Sequence, residues 1–276
     1  MKKILFAIIF LCYFSEINAQ DDKYILGFKD PKQKFTTIEF KLVNNLIIIP
    51  VFINNSDTLF FILDTGINPT LLTTNNTDIS FNTGRVLQIS GLGQDDNLTV
   101  LQTYGNKIHL GDDALLTKQN VFVVQKDRFE LSKKMGTTID GIIGGIIFEN
   151  FIVVINYDTE KIKLINPKRY KKKRYRRWLK IPIELHHNKP YINLNIALNK
   201  DTTILANLLF DLGASDALWL MQNTNDSIVY NRPDELFYLG QGINGDIFGT
   251  YNKIKSVSFS DKIKLENVQI CIPDTS

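Results

Sequence analysis

Short apolar segments alternate with polar turns along most of the chain. Residues 36–41, 46–53 and 58–63 are rich in Ile, Phe, Val and Leu, and polar turns separate them. Apolar runs of this length, bounded by turn residues, predict β-strands. Stretches with helical periodicity are few, so the pattern predicts a mainly β protein.

The same plan returns in the second half of the chain. A second set of apolar segments lies at residues 181–185, 191–198 and 203–210. In both halves the third segment leads directly into Asp-x-Gly, as FFILDTG at 60–66 and NLLFDLG at 207–213. The repetition predicts two related lobes, at 36–167 and 181–276, that each present one aspartate at the end of a strand.

Each Asp-x-Gly is followed at a similar distance by Gly-x-Gly, first as Gly91-Leu92-Gly93 and then as Gly240-Gln241-Gly242. An isolated Asp-x-Gly is commonplace, and its simplest explanation is a strand that ends in a turn. Its occurrence in both halves, each time before a glycine-bearing hairpin, favours a functional pair instead. The candidate pair is Asp64 and Asp211.

One element of the first half has no counterpart in the second. The segment DGIIGG at 140–145 precedes a short helix at 146–151 and strands at 152–156 and 161–165. In the second half the sequence stops soon after the apolar strand at 267–272, which matches 120–125. The repeat therefore predicts that the second lobe is truncated by about forty residues. Such a lobe would expose apolar surface and unpaired strand edges.

These motifs resemble the retropepsin-like and pepsin-like aspartic peptidases. The layout is similar to that of secreted bacterial retropepsin-like proteins with an internal duplication. The resemblance implies a two-lobed acid-protease β-barrel fold, with the two Asp-x-Gly loops meeting on a pseudo-twofold axis. It also implies an aspartic endopeptidase with Asp64 and Asp211 as catalytic dyad, supported by neighbours in each motif.

The resemblance assigns further roles by position. The dyad-supporting residues are Thr65, Gly66, Leu212 and Gly213. The substrate-binding flaps are Gly91, Leu92, Gly93, Gly240, Gln241 and Gly242. Gly144 is the structural glycine that closes the loop beneath Asp64. No cofactor or metal is implied, because two carboxyl groups that share one proton can activate water unaided.

Two departures from the family pattern affect the dyad. In the family a Thr or Ser in the middle of each motif bonds the opposite loop; Thr65 can do this and Leu212 cannot, which predicts a looser loop pair. The residues after the glycines are Ile67 and Ala214. Neither offers a hydroxyl to stabilise the carboxylate, so we expect a higher dyad pKa than in the strongly acid-active enzymes.

Three readings of function remain open. The first is the aspartic endopeptidase, acting on a peptide or protein substrate. The second is a catalytically inactive relative that binds extended peptides in the cleft between the lobes, a reading that Leu212 favours. A β-rich surface adhesion module is the third, if the Asp-x-Gly loops lie far apart. The sequence lacks His-Glu-x-x-His and Gly-x-Ser-x-Gly, and turn contexts for His109, His186 and His187 disfavour a metal site.

The first residues predict export. Lys2 and Lys3 precede an apolar run at 4–14, and Ala19 precedes the expected cleavage site, so residues 1–19 read as a signal peptide. The destination would be periplasmic, extracellular or at the cell surface; a lipid anchor through Cys12 is a weaker alternative. We expect no transmembrane segment in the mature protein. Removal of the signal leaves Cys271 alone, which excludes an intramolecular disulfide.

Residues 168–180 contain nine Lys and Arg and no acidic residue. A run of like charge repels itself and stays solvated, so it predicts a linker between the lobes. Contact with an anionic membrane or cell-surface polymer is the alternative partner. Nucleic acid is the least expected partner, because the protein is predicted to be exported and the flanking lobes are acidic.

Overall fold

The computed structural model describes residues 24–73, 78–93, 96–124, 129–171, 178–229 and 235–274. The predicted signal peptide and the centre of the basic segment, 172–177, lie outside these ranges. Strands dominate the described chain, so the prediction of a mainly β protein is confirmed. No helix within these ranges has the length and apolar character needed to cross a membrane.

The strands separate into two groups that share no sheet among the described residues. We call the group within residues 26–165 the first lobe and the group within 184–273 the second lobe. The predicted division into lobes at 36–167 and 181–276, joined by a basic linker at 168–180, stays a prediction.

The first lobe is built around a closed barrel. Its strands are β1 (Leu26–Phe28), β2 (Phe35–Glu39), β3 (Lys41–Val43), β4 (Leu46–Ile53), β5 (Leu59–Leu63), β6 (Thr70–Leu72), β7 (Asn82–Ile89), β8 (Leu98–Leu110), β9 (Ala114–Val124), β10 (Gly141–Ile143), β11 (Ile152–Asn156) and β12 (Lys161–Ile165). The order β9-β6-β10-β5-β4-β8 is closed by pairing of β8 with β9. Two short helices, α1 (Leu131–Met135) and α2 (Gly145–Asn150), flank β10.

Apolar side chains of β4 and β5 fill the barrel. Val51, Ile53, Phe61 and Leu63 are fully buried, which is why these strands read as nearly continuous apolar runs. A separate sheet, in the order β11-β12-β2, packs Ile162 and further apolar residues against the same core. Leu63, the last residue of β5, belongs to this core, and Asp64 follows it directly.

The second lobe is a single sheet. Its strands are β13 (Glu184–His186), β14 (Lys189–Ala197), β15 (Thr203–Leu209), β16 (Phe237–Gly242), β17 (Gly245–Ser260) and β18 (Ile263–Pro273). They run in the order β13-β14-β17-β16, with β15 on β14 and β18 on β17. Ile196, Val257 and Ile270 belong to its own apolar core. Both lobes therefore deliver an Asp-x-Gly loop from the end of a short strand, β5 or β15.

Candidate active site

Asp64 lies in the loop that follows β5. Its backbone N–H donates to the carbonyl of Ile143 at 2.9 Å, which ties the loop to β10. Within the loop, the N–H of Gly66 donates to Asp64 Oδ1 at 2.5 Å. This short-range bond folds the aspartate back on its own turn, as expected for Asp before glycine.

Asp211 occupies the corresponding position after β15. The N–H of Gly213 donates to Asp211 Oδ1 at 2.8 Å, so both loops make the same turn. The loops face each other across the lobes. A Cβ added to Gly66 would lie 2.8 Å from Asp211 Oδ2, and one added to Gly213 would lie 2.5 Å from Asp64 Oδ2. Each glycine leaves the space that the opposite carboxyl group occupies.

The two carboxyl groups interact directly. The pKa of Asp64 is raised from 3.8 to about 8, most strongly by burial and further by the charge of Asp211 and a hydrogen bond with its side chain. The Gly66 N–H and the positive charge of Lys189 lower the pKa of Asp64, but less strongly. Two carboxyl groups this close do not both ionise readily, so the pair is suited to hold one proton between them.

Thr65 links the two loops by itself. Its hydroxyl donates to the carbonyl of Phe210 at 2.5 Å and accepts from the N–H of Leu212 at 2.9 Å. Leu212 makes no equivalent side-chain bond but packs, half-buried, against the apolar core of the first lobe. The predicted loss of one half of the lock is thus accompanied by an apolar contact across the lobes.

Two reciprocal hydrogen bonds join the lobes around the aspartates. Asn68 Nδ2 donates to the carbonyl of His187 at 2.8 Å, and Asn45 Nδ2 donates to the carbonyl of Ser215 at 3.0 Å. Asn68 and Ser215 each lie four positions after an aspartate. Asn45 and His187 belong to hairpin turns with positive φ, at 44–45 and 187–188. The equivalence of these contacts places the two halves in a pseudo-symmetric arrangement.

Gly144 lies directly beneath Asp64. A Cβ at this position would collide with the carbonyl oxygens of Asp64 and Ile67, so glycine is needed for close backbone approach. Gly145 continues this contact, since its N–H donates to the Ile67 carbonyl at 3.1 Å. The backbone at Gly144 therefore packs against the loop that carries Asp64.

The two glycine-bearing hairpins meet each other. Gly91, Leu92 and Gly93 lie between β7 and β8, at the tip of the first hairpin. Asn244 of the second hairpin accepts from the Gly91 N–H through Oδ1, and its own N–H donates to the Leu92 carbonyl, both at 2.8 Å. A Cβ at Gly242 would collide with the Leu92 carbonyl. The hairpins thus close against each other.

The tip of the second hairpin differs from the prediction at Gly240, Gln241 and Gly242. Gly242 pairs with Gly245, so Ile243 and Asn244 form the turn. Gly240 and Gln241 lie within β16, where Gly240 follows a register shift. The pair Asn244-Gly245 is a sequence signal for a turn near this place, but the turn residues themselves are Ile243 and Asn244.

Sequence reasoning missed a contact that steadies the second hairpin. Lys134 on α1 lies 2.8 Å from Gln241 Oε1 and 3.3 Å from Asp246 Oδ1. Lys134 also lies 6.0 Å from the centre of the Tyr238 ring. The first lobe therefore contacts the second hairpin at two places: along its strands through Lys134, and at its tip through Gly91 and Leu92. No local sequence pattern reveals this, since it arises only when the lobes meet.

An open cavity of about 270 Å³ lies beside the hairpin tips. Leu92, Trp219, Met221, Phe248 and Pro273 contribute apolar lining, and Asp246 and Asp274 also line it. Trp219 is oriented by a hydrogen bond of 2.9 Å from its Nε1 to Asp216 Oδ2. The volume and lining suit a single apolar side chain.

No protein-family model matches the chain, and no curated protein matches it. Among solved structures, the chain is similar to the aspartic proteinase from Irpex lacteus, with a TM-score of 0.43 and 14% sequence identity. The match covers 67% of this chain and 64% of that proteinase. The chain thus spans less than two thirds of that proteinase's length.

Proposed function

We propose that the protein is an aspartic-type endopeptidase that hydrolyses peptide bonds with water activated by Asp64 and Asp211. The observation that carries the proposal is the direct interaction of the two carboxyl groups, which belong to loops of the same geometry. A pair of carboxyl groups that shares one proton supplies a general acid and a general base at the same place.

The raised pKa of Asp64 assigns the roles at neutral pH. Asp64 is the proton donor of the pair, and Asp211 acts as its base. Asp211 takes a proton from the attacking water, whose oxygen bonds to the scissile carbonyl carbon. Asp64 donates its proton to the carbonyl oxygen as negative charge develops there. The tetrahedral intermediate then collapses: Asp211 returns its proton to the nitrogen, the C–N bond breaks and the amine leaves, and a hydroxyl of the former gem-diol passes its proton to Asp64, so the dyad again holds a single proton.

The surroundings support this chemistry. The N–H groups of Gly66 and Gly213 each bond one carboxyl oxygen, which fixes the orientation of the groups that exchange protons. The closed hairpins would keep bulk water from the site once a substrate is bound, and this strengthens electrostatic interactions within it. An extended peptide could pair with the hairpin edges, so unfolded polypeptide is the proposed substrate class.

The test is cleavage of an unfolded protein by Asp64→Asn and Asp211→Asn variants. We expect each variant to lose at least a hundredfold in kcat, because neither can share the proton. Asp158→Asn, in the exposed turn between β11 and β12, is the matched control and should cleave at the parental rate. Substantial cleavage by either dyad variant would remove the proposal.

The second candidate function is peptide binding without hydrolysis. Leu212 favours it, since this side chain cannot form the hydroxyl bond that the family uses to lock the second loop. In that case the parent protein would bind extended peptides and release them uncleaved. Mass spectrometry of the peptide after incubation separates the two functions.

We further propose that the site works after export, with residues 1–19 removed. Sequencing of the mature N-terminus should then begin at Gln20. The basic segment 168–180 is proposed as a linker that can also contact anionic surfaces. Vesicles containing anionic lipid should retain the mature protein at low salt and release it at high salt if that contact forms.

A further inference from the structure

The strands that carry the two aspartates differ in their neighbours. In the first lobe, β5 pairs antiparallel with β4 and parallel with β10. In the second lobe, β15 pairs antiparallel with β14, and no other strand of the described residues pairs with it. The edge of β15 that corresponds to the β10 side of β5 is therefore open.

The backbone N–H groups of the two aspartates also differ in their hydrogen bonding. The Asp64 N–H donates to the Ile143 carbonyl at the end of β10. Among the described residues, the corresponding N–H of Asp211 has no acceptor. An unpaired N–H at a sheet edge is a template for a further strand.

The second lobe also contains a counterpart of β6, the other neighbour of β10. β10 lies between β5 and β6, and β6 runs parallel to β9. In the second lobe the segment 217–220 runs parallel to β18, through bonds of 2.9 Å from the Cys271 N–H to the Leu218 carbonyl and from the Leu220 N–H to the Cys271 carbonyl. Counterparts of both neighbours of β10 are thus present in the second lobe, and Leu208 of β15 and Leu218 pack against the same apolar core. We call the region between β15 and residues 217–220 the β15 slot.

Apolar side chains of β15 and of the residue that follows it are more exposed than their counterparts in the first lobe. Leu63, the residue before Asp64, is fully buried, whereas Phe210, the residue before Asp211, is 44% exposed. Phe61 is fully buried, whereas Leu208 at the corresponding position is half-buried. Covering such side chains gives roughly 25 cal/mol for each Å² removed from water, so an apolar occupant is favoured over a polar one.

We propose that the β15 slot binds a partner polypeptide segment of the sequence type apolar-apolar-Gly, extended and parallel to β15. The residue before its glycine accepts the Asp211 N–H, as Ile143 accepts the Asp64 N–H. Glycine is required next, because the corresponding Gly144 has no room for a Cβ beneath the Asp64 carbonyl. The inference concerns binding and does not depend on the proposed peptidase activity.

A second copy of this chain is a poor occupant. Its described segments of this type lie at β1, β10 and β17, as Ile25-Leu26-Gly27, Ile142-Ile143-Gly144 and Ile247-Phe248-Gly249, and all three strands are already paired. Donating β10 would open the barrel of the donor and leave the Asp64 N–H unpaired. The occupant is therefore a segment other than the described strands, and its chemistry is that of residues 140–145.

The experiment adds a synthetic peptide of residues 138–151 (TIDGIIGGIIFENF) to the full chain and follows amide hydrogen exchange. We expect exchange in residues 203–213 to slow at least tenfold, with a rise in Tm, while residues 59–64 remain unchanged. The matched control peptide carries Ile143→Asp and Gly144→Val and should have no effect.

Equal effects of both peptides, or none from the first, would overturn the proposal. Slowed exchange at 59–64 would mean that the peptide displaces β10 in the first lobe, and this also counts against it. Sedimentation decides the remaining alternative: a dimer whose formation alone protects 203–213 would make a second copy the occupant and the proposal wrong.

Discussion

The hydroxyl of Thr65 accepts a hydrogen bond from the backbone N–H of Leu212 at 2.9 Å, across the two lobes and 147 positions along the chain. The same hydroxyl donates to the Phe210 carbonyl. One side chain thus satisfies a donor and an acceptor on both sides of Asp211, and it is itself 5% exposed. The position of the second aspartate depends on this residue of the first lobe.

Replacement of Thr65 by valine should therefore destabilise the protein and slow catalysis together. Valine keeps the volume but leaves the Phe210 carbonyl and the Leu212 N–H without their partner. Losing its partner costs a fully buried group about 1–3 kcal/mol; because both groups are part-buried here, we expect a loss at the lower end of that range. Urea unfolding and kcat measure the two effects, and Thr65→Ser should retain most of both. A Thr65→Val variant with parental stability would contradict the role assigned to this hydroxyl.

Leucine at position 212 should stabilise the protein more than threonine would. The family pattern suggests that threonine would complete the lock, but the Leu212 side chain packs against the apolar core of the first lobe. Leu212→Thr removes part of that contact, and we expect a loss of about 1–2 kcal/mol in the free energy of unfolding. Leu212→Met, which retains apolar volume, is the control. A faster and more stable Leu212→Thr enzyme would show that the missing hydroxyl limits activity.

The pair of aspartates could be predicted because its signal is local and occurs twice. Each motif follows an apolar strand, so the residue pattern indicates the two aspartates. That their carboxyl groups meet, and that Gly144 lies beneath Asp64, was implied only by the family resemblance. The bonds from Asn45 to Ser215 and from Lys134 to Gln241 depend on how the lobes meet. The sequence does not distinguish these contacts, because an Asn or Lys that bonds the other lobe has the same local pattern as one exposed to solvent.

The hairpins show that a short motif can locate an element without giving its exact turn. Gly-x-Gly located both hairpins but displaced the second tip, since Gly240 accompanies a register shift rather than the turn. The long strands β8 and β17 were not predicted as single elements, because polar residues interrupt their apolar pattern. Pairing along both sides decides their length, and pairing is a property of the whole sheet.

The raised pKa of Asp64 predicts how stability varies with pH. Below about pH 4 the group is protonated in both the folded and the unfolded state. As pH rises towards 8 the unfolded state ionises while the folded state must stay protonated, so this contribution to stability is lost. A rise from 3.8 to about 8 sets a ceiling of roughly 6 kcal/mol on the effect.

Asp64→Asn cannot ionise and should therefore lack this loss. We expect the variant to gain stability over the parent between pH 4 and pH 8, with the difference increasing as pH rises. Urea unfolding at pH 4, 6 and 8 measures it, with Asp158→Asn as the control. A difference that is constant over this range would contradict the assignment of the raised pKa to Asp64.

The pH dependence of kcat should also be set by the protonation of Asp64. If Asp64 supplies the proton to the carbonyl oxygen, kcat falls as pH rises through about 8, where the pair loses the shared proton. Activity should therefore extend from mildly acidic to near-neutral pH. A pH–rate profile confined to strong acid would contradict this, and inhibition by chelators would point to a metallopeptidase.

The contact between the hairpins gives a prediction about substrate entry. Because Asn244 bonds both Gly91 and Leu92, the hairpins must separate before an extended chain can reach the aspartates. A disulfide can hold them closed: a Cβ at Gly91 would lie 2.9 Å from Ile243 Cβ, so a shift of about 1 Å gives disulfide spacing. We therefore expect the oxidised double variant Gly91→Cys/Ile243→Cys to lose cleavage of unfolded protein.

Reduction should restore that activity, because the chemistry of Asp64 and Asp211 is untouched. The single variants Gly91→Cys and Ile243→Cys are the controls, and oxidant should not affect them. Cys271 is buried, and burial and the nearby Asp216 raise the pKa of its thiol to about 12, so it should not compete for the new cysteines. Full cleavage by the oxidised, cross-linked protein would mean that substrate reaches the aspartates without any separation of the hairpins.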